Sequence, residues 1–438
     1  MSIKIKISII AICFALVAAV CIGFVFASPN ETVNMKGMIN YEVPKITITA
    51  SPNDSNLGST NGSGDYSIGD TVTLVAAATA SGSNTFLAWA TSTNPNTMEI
   101  LSTSTSYSFE LTEDSPTTYY ALFNQTTSTS QTDGDLIYTF YNEAKLAEIT
   151  GMDSSFQGGD YTISPTVTSG ENSYKVYSIG DFAFDYCSSL TSITIPEGVT
   201  SIGEYAFRKC SNLTTITIPE GVTSIGYAAF RDCSSLTSIT LPNTLTSIGA
   251  SAFHSCSGLT SITIPEGVTS IGEHAFHGCS KLTSITLPST LTSIGGWAFF
   301  GCSNLTSITL PSTLTSIGRA AFYGCSSLTS VSLPSTLTSI GLEAFYDCSN
   351  LTEITINGNI STLLEPNTFP GCANLTKLTL GSNVTTLPGN LFTDFNLTNL
   401  TEIVVLGDLK STTFPSGTWY KGGVEVTSFD GEGTYTKS

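Results

Sequence analysis

Between Ile179 and Cys348 the apolar and polar positions follow one pattern eight times over: I-G-x-x-A-F-x-x-C, a polar pair, L-T-x-I-T-[IL]-P-x-x-[VL]-T-S, and back to I-G. Cys187, Cys210, Cys233, Cys256, Cys279, Cys302, Cys325 and Cys348 recur every 23 residues, and Cys372 follows after one inserted residue. Self-similarity at such a period signals a solenoid, in which each repeat buries its apolar face only against its neighbours. In the second copy Leu213, Ile216 and Ile218 predict an inward-facing strand that Pro219 ends. Val222 and Ile225 predict a second short extended stretch. Gly226 is expected to permit a sharp corner, and Ala229, Phe230 and Cys233 to fill the core beside a tight turn. The copies at 351–372 and 375–395 keep Phe369, Cys372 and Phe392 but lose the I-G corner, the drift expected of a terminal repeat.

Outside the repeats the patterning changes in steps. Residues 1–28 carry Lys4 and Lys6, then an apolar run from Ile7 to Ala27 with Val25 and Ala27 placed for cleavage. This predicts a signal peptide or, since the run is long enough to span a bilayer, an uncleaved N-terminal anchor. From 44 to 123 strict alternation, as in Ile46-Thr47-Ile48-Thr49-Ala50 and Thr71-Val72-Thr73-Leu74-Val75, predicts a small β-rich module. The tract 124–134, N-Q-T-T-S-T-S-Q-T-D-G, has the composition of a flexible linker. Residues 135–178 return to amphipathic strands and are expected to cap the solenoid, whose first repeat would otherwise leave an apolar end in water. The repeats occupy 179–405, and 406–438 forms a short β tail with Trp419 and Tyr420.

The segment Leu190 to Cys210, L-T-S-I-T-I-P-E-G-V-T-S-I-G-E-Y-A-F-R-K-C, resembles the BspA-type leucine-rich repeat of bacterial and some protist surface proteins. The resemblance implies an extracellular adhesion or binding role and no chemistry in the repeat itself. The order G-D-Y-S-I-G-D-T-V-T-L, F-L-A-W, Y-Y-A-L-F in the first module is similar to modules related to internalin B repeats, which implies that Trp89 belongs to the core. The expected fold class is therefore mainly β: a leucine-rich-repeat solenoid of 23-residue repeats preceded by a small β-rich module.

Composition narrows the function. A formal charge of −19, with only 11% charged residues, argues against nucleic acid and against adsorption to anionic lipid. A membrane enters only through the N-terminal anchor. Of the eleven cysteines, nine form the column. An odd number cannot all pair, and in-register stacking does not readily supply disulfide geometry, so buried free thiols are expected. A column also spreads its side chains along an axis, whereas tetrahedral metal ligands must converge. G-x-S-x-G, phosphate-binding glycine loops and H-E-x-x-H are missing, so the expected protein is not an enzyme and carries no cofactor or metal.

Variable positions show what solvent or a partner sees. The residue after A-F reads Asp185, Arg208, Arg231, His254, His277, Phe300, Tyr323, Tyr346. With His274 and Trp297 nearby, His277, Phe300, Tyr323 and Tyr346 form a candidate partner-binding strip, given the aromatic preference of interface cores. Alternatively, these rings lie flat and seal the core. The second candidate is the strand face, where Ser238 and Thr240, Ser261 and Thr263, Ser284 and Thr286, and Ser307 and Thr309 make hydroxyl rows suited to extended polypeptide, glycan or ice. The expected function is non-enzymatic: a secreted or cell-surface protein binding host or neighbouring-cell macromolecules, protein or glycan. A structural envelope or matrix component that self-associates is the alternative.

Overall fold

The computed structural model describes residues 45–78, 84–125, 129–358, 368–387, 399–411, 415 and 417–437. The segment 1–28, expected to be a signal peptide or anchor, and Phe392 lie outside the described residues. Among the described residues every regular element is a strand, and no helix is long and apolar enough to cross a membrane.

Most turns of the solenoid contribute two strands. The first set, including Leu190–Thr194, Thr215–Thr217 and Ser238–Thr240, pairs in parallel with Ser192 opposite Thr215 and Thr215 opposite Ser238. The second set consists of two-residue strands, from Ser201–Ile202 to Ser339–Ile340, in one continuous parallel sheet. Register is fixed at the repeat period, so each consensus position becomes a column along the stack. The strand pattern T-I-T buries its Ile and exposes both flanking hydroxyls, because a one-residue slip would turn the Ile outward.

The columns hold the core. Phe184, Phe207, Phe230, Phe253, Phe276, Phe299, Phe322, Phe345 and Phe369 stack with ring centroids 5.0 to 5.5 Å apart. The nine cysteines beside them are free thiols, and all but the half-buried Cys187 are buried. They do more than fill space. Each Sγ from Cys210 onward donates to the carbonyl of the Phe in the preceding turn, as in Cys279 to Phe253 at 3.2 Å. Two threonine ladders add a staple per turn that the sequence did not disclose. Thr237 Oγ1 donates to the Thr214 carbonyl at 3.1 Å, and Thr246 Oγ1 to the Thr223 carbonyl at 3.0 Å.

The I-G glycine has a different role from the one expected. Gly226 has no positive φ; a Cβ there would lie 2.5 Å from the carbonyl carbon of Gly203 in the preceding turn. Close approach between neighbouring backbones, not a special dihedral angle, excludes a side chain. The left-handed positions fall elsewhere. The residue before A-F has φ between 50 and 61° from Phe182 to Glu343, and the residue before each Cys is left-handed too, occupied by Gly at 278, 301 and 324 but by Tyr at 186 and Lys at 209.

Both ends are closed by strands. Leu136–Tyr141 pairs antiparallel with Leu146–Met152, which runs parallel to Asn172–Ile179 and so leads into the two-residue strands. Gly159–Thr162 extends the other sheet by pairing with Leu190–Thr194. At the far end Glu402–Val405 lies parallel to Lys377–Leu380 but antiparallel to Gly433–Lys437, which carries Trp419–Lys421 and Val424–Val426. Trp419, Phe429 and Tyr435 join the core, so the tail ends the sheet with a three-residue edge strand, too short to template further pairing.

The described residues of the tract 124–134 are strand and turn: Asn124 and Gln125 end the strand Thr118–Gln125. Thr129–Asp133 forms a strand paired with Leu136–Tyr141 across the turn at Gly134, whose φ is 61°. Its Ser and Thr residues look loop-like by composition, yet an open strand edge satisfies their backbone groups. Around it Leu87, Met98, Ile100 and Leu122 of the first module pack with Leu146 and Tyr177 of the cap, and Lys175 Nζ donates to the Met98 carbonyl at 2.6 Å. The module has its own core of Ile48, Val72, Leu74, Leu111, Tyr119 and Phe123 around Trp89, which is fully buried.

Candidate binding surface

The position after A-F leaves the buried Phe and points outward. Because the backbone repeats in register, its side chains stack. His254 and His277 lie 4.5 Å apart at 3°, His277 and Phe300 4.7 Å at 5°, Phe300 and Tyr323 4.7 Å at 14°, and Tyr323 and Tyr346 4.6 Å at 5°. Beside this row His274 stacks on Trp297 at 5.0 Å, and His274 lies 5.5 Å from His277. All six candidates, His274, His277, Trp297, Phe300, Tyr323 and Tyr346, therefore fall in one half-buried double row. Arg319 sits 5.6 Å over the Trp297 ring and pairs with Glu343 at 3.3 Å.

This geometry fixes what the row offers. Face-to-face stacking covers the ring faces with one another, so a partner meets mainly ring edges, histidine nitrogens and tyrosine hydroxyls. Carbonyls and other groups of partial negative charge are the complement of such positive ring edges. A pyranose ring, which stacks on an open face, finds little there.

The stacked imidazoles also carry an acid sensitivity. Burial, then the neighbouring His277, Arg231 and His274, lower the His254 pKa to about 4, with Asp232 opposing; burial and His274 lower that of His277. The folded state therefore binds fewer protons than the unfolded chain, whose histidines titrate near pH 6.5. The contribution is complete above that pH and is lost as pH falls toward about 4. With solvent screening of these half-exposed rings, the loss is expected to be about 1 kcal/mol. Urea midpoints at neutral pH and at pH near 4.5 should show it, and His254→Phe, which continues the Phe300 pattern, should reduce it.

The hydroxyl rows span interrupted sheets, since Ser238–Thr240 and Ser261–Thr263 belong to separate sheets and residues 307–309 lie outside the regular strands. Ser238, Thr240, Ser261, Thr263, Ser284, Thr286, Ser307 and Thr309 are all exposed, and Ser261 and Thr263 face Ser284 and Thr286 in register. At the N-terminal end of this face a recess of about 430 Å³ is lined by Ser192, Thr194, Glu197, Thr215 and Thr217.

A third surface was missed. Phe182, Tyr186 and Tyr227 are 51%, 57% and 38% exposed, and with Tyr205, Arg208 and Lys209 they form a patch on the first three turns. Part of the signal, Phe182 and Tyr205, was present in the variable position before A-F, read only at His274 and Trp297, whereas Tyr186 precedes Cys187 and Tyr227 follows Gly226. It went unseen because Ala228 and Ser251 interrupt the aromatic run.

Parallel strands at the repeat period, a buried Phe and Cys ladder and outward variable rows define a leucine-rich-repeat solenoid. The chain belongs to the BspA type leucine rich repeat family, which matches in six copies over residues 177–305 and 292–416. Among solved structures, a leucine-rich repeat protein from Bacteroides ovatus is 32% identical, with a TM-score of 0.49 over 63% of this chain and 76% of that one. A leucine rich cell surface protein from Faecalibacterium prausnitzii is 28% identical, with a TM-score of 0.45 over 64% and 95%. The T. pallidum leucine rich repeat protein is 30% identical, with a TM-score of 0.42 over 46% and 91%. No curated protein matches.

Proposed function

We propose that this is a surface-displayed, non-enzymatic binding protein that holds macromolecular partners through the outward rows of its solenoid, with the double row from His254 to Tyr346 as the polypeptide contact. The observation that carries this reading is the division of labour within each turn. The invariant Phe, Cys, Gly and ladder Thr are spent inside the stack, while the variable positions converge outside into continuous rings. Membership of a repeat family found on cell surfaces supports display outside the cell, as does the apolar leader. Adhesion to host or neighbouring cells is the role such a protein would serve.

The full chain, immobilised, is expected to capture one or more members of a panel of extracellular-matrix proteins. Changing Phe300, Tyr323 and Tyr346 together to Ala should weaken capture at least about tenfold, as loss of a central aromatic cluster does. Each lost ring pair also removes about 1 kcal/mol of stacking, so melting is followed alongside. Capture undiminished in a variant that still melts cooperatively would rule out the row.

A further inference from the structure

We propose that the first three turns of the solenoid form a separate site for a neutral oligosaccharide, built on Phe182, Tyr186, Tyr205 and Tyr227 and flanked by Arg208 and Lys209. The inference rests on the binding role above but uses a different surface and a different ligand class.

Four observations converge. The first is ring exposure: Tyr186 and Phe182 are more than half exposed and Tyr227 more than a third, whereas rings of the His254–Tyr346 row cover one another's faces. Phe182 and Tyr205 stack at 5.0 Å, and Tyr227 meets Tyr205 edge-on at 77°, so the cluster is a broken, stepped surface and not a closed stack.

The second is backbone cost. Tyr186 and Lys209 occupy the left-handed position before the cysteine, with φ of 60° in both. Gly278, Gly301 and Gly324 fill the same position in later turns without strain, and Asp232, Ser255 and Asp347 fill it with short side chains, so Tyr186 is its bulkiest occupant. The Tyr186 ring is 57% exposed and lies under Lys209 Nζ at 4.3 Å and Arg208 at 5.1 Å, outside the core. A bulky ring carried in an uncommon backbone conformation and left largely outside the core points to function.

The third is charge. Arg208 is held by Asp185 through two bonds, Nε at 2.8 Å and a terminal nitrogen at 2.5 Å, and Arg231 pairs with Asp232 at 3.6 Å. Arg208 is also poised 4.6 Å over Tyr205 and 5.1 Å over Tyr186. These guanidinium charges are already balanced, so the patch has little to offer a polyanion. Lys209 Nζ bonds the Tyr186 hydroxyl at 2.8 Å, leaving ammonium protons to donate to sugar hydroxyls.

The fourth is size. Three rings, each about half exposed, present roughly 300 Å² of aromatic surface. A standard protein interface takes about 800 Å² from each partner, and the rings are flanked by Ser188, Ser211 and Asn212 together with the carboxylates of Asp181, Asp185, Glu204 and Asp232. A few pyranose units, apolar on their C–H faces and polar at their rims, match that area. The spacing of one solenoid turn is also close to the length of one pyranose unit.

The test titrates the full chain calorimetrically with cellotetraose, xylotetraose, mannotetraose and lacto-N-neotetraose. At least one is expected to bind at millimolar concentration or below, with an affinity that salt does not change. Tyr186→Gly should weaken binding about tenfold while the melting temperature holds or rises, because Gly relieves the left-handed position. Phe182→Ala should weaken it similarly. A packing role for Tyr186 would instead lower the melting temperature. The proposal is overturned by no heat from any of the four sugars, by binding that survives both substitutions, or by binding that falls away with salt. It is equally overturned if Tyr186→Gly abolishes capture of a matrix protein and no sugar binds. Because the patch and the His254–Tyr346 row lie in different turns, failure here leaves matrix-protein capture through the row intact, and failure of the row leaves sugar binding intact.

Discussion

Gly295→Ala is expected to destabilise the solenoid by about 3 kcal/mol, the upper part of the range for forcing atoms into a packed interior. The added methyl would lie 2.7 Å from the Glu273 nitrogen and 2.8 Å from the Gly272 carbonyl carbon, both backbone atoms of the preceding turn. Nothing flexible stands there to move aside. The two turns must separate, and the Gly295 amide then loses its 2.8 Å bond to the Ile271 carbonyl. The adjacent glycine is the control. A Cβ on Gly296 meets nothing nearer than the Arg319 carbonyl oxygen at 3.4 Å, so Gly296→Ala should be neutral or slightly stabilising through its effect on the unfolded chain. Urea unfolding followed by circular dichroism separates the two. Since stability in a stack is held between neighbours, Gly295→Ala should also split a single transition into two as the turns on either side uncouple. Equal behaviour of the two variants would mean that the turns are not in close backbone contact.

That contrast shows where the sequence was legible. A 23-residue period, with Leu213, Ile216 and Ile218 alternating against threonines, dictated parallel strands and an inward face, and the structure has both. The physical reason is that packing constraints repeat, so each position was displayed eight times over. Gly226 was marked as special from the same repetition, but its reason was not available. One-dimensional pattern cannot distinguish a left-handed corner from close approach of a neighbouring backbone. The ladder threonines were hidden for a similar reason: Thr214 and Thr215 are both polar and both exposed, and only register shows that Thr214 bonds the preceding turn. The tract around Thr129–Asp133 failed because its pairing edge comes from the following strand, which local composition does not reveal. The outward rows were legible as columns, yet whether rings within a column show faces or edges depends on side-chain stacking. Hence the row at His254–Tyr346 was found, while the more exposed rings at Phe182 and Tyr186 were passed over.

The thiol column gives the second large effect. Alkylation of the native protein at pH 8 should leave the column almost untouched during the time in which the unfolded chain reacts fully, as read by mass spectrometry of the labelled peptides. Cys187, the half-buried first member, sets the upper limit. Burial first, then Cys210 and Asp185, push its thiol up to about 12. Only on the order of 10⁻⁴ of it is then thiolate at pH 8, and the thiolate is the reactive form, so ionisation alone slows reaction about a thousandfold relative to an ordinary thiol. From Cys210 to Cys348 the restriction is stronger. Each proton is also the one donated to a buried Phe carbonyl, as in Cys302 to Phe276 at 3.2 Å. Removing it sets a thiolate against a carbonyl oxygen in a dry interior. The column is thereby protected by the same contacts that hold the turns together, and reductant is expected to leave the melting temperature unchanged. A Cys279 that labels as fast as Cys187 would show that the middle of the stack opens as readily as its end. In that case the rigid outer rows on which the proposed partner binding depends could not be held in place.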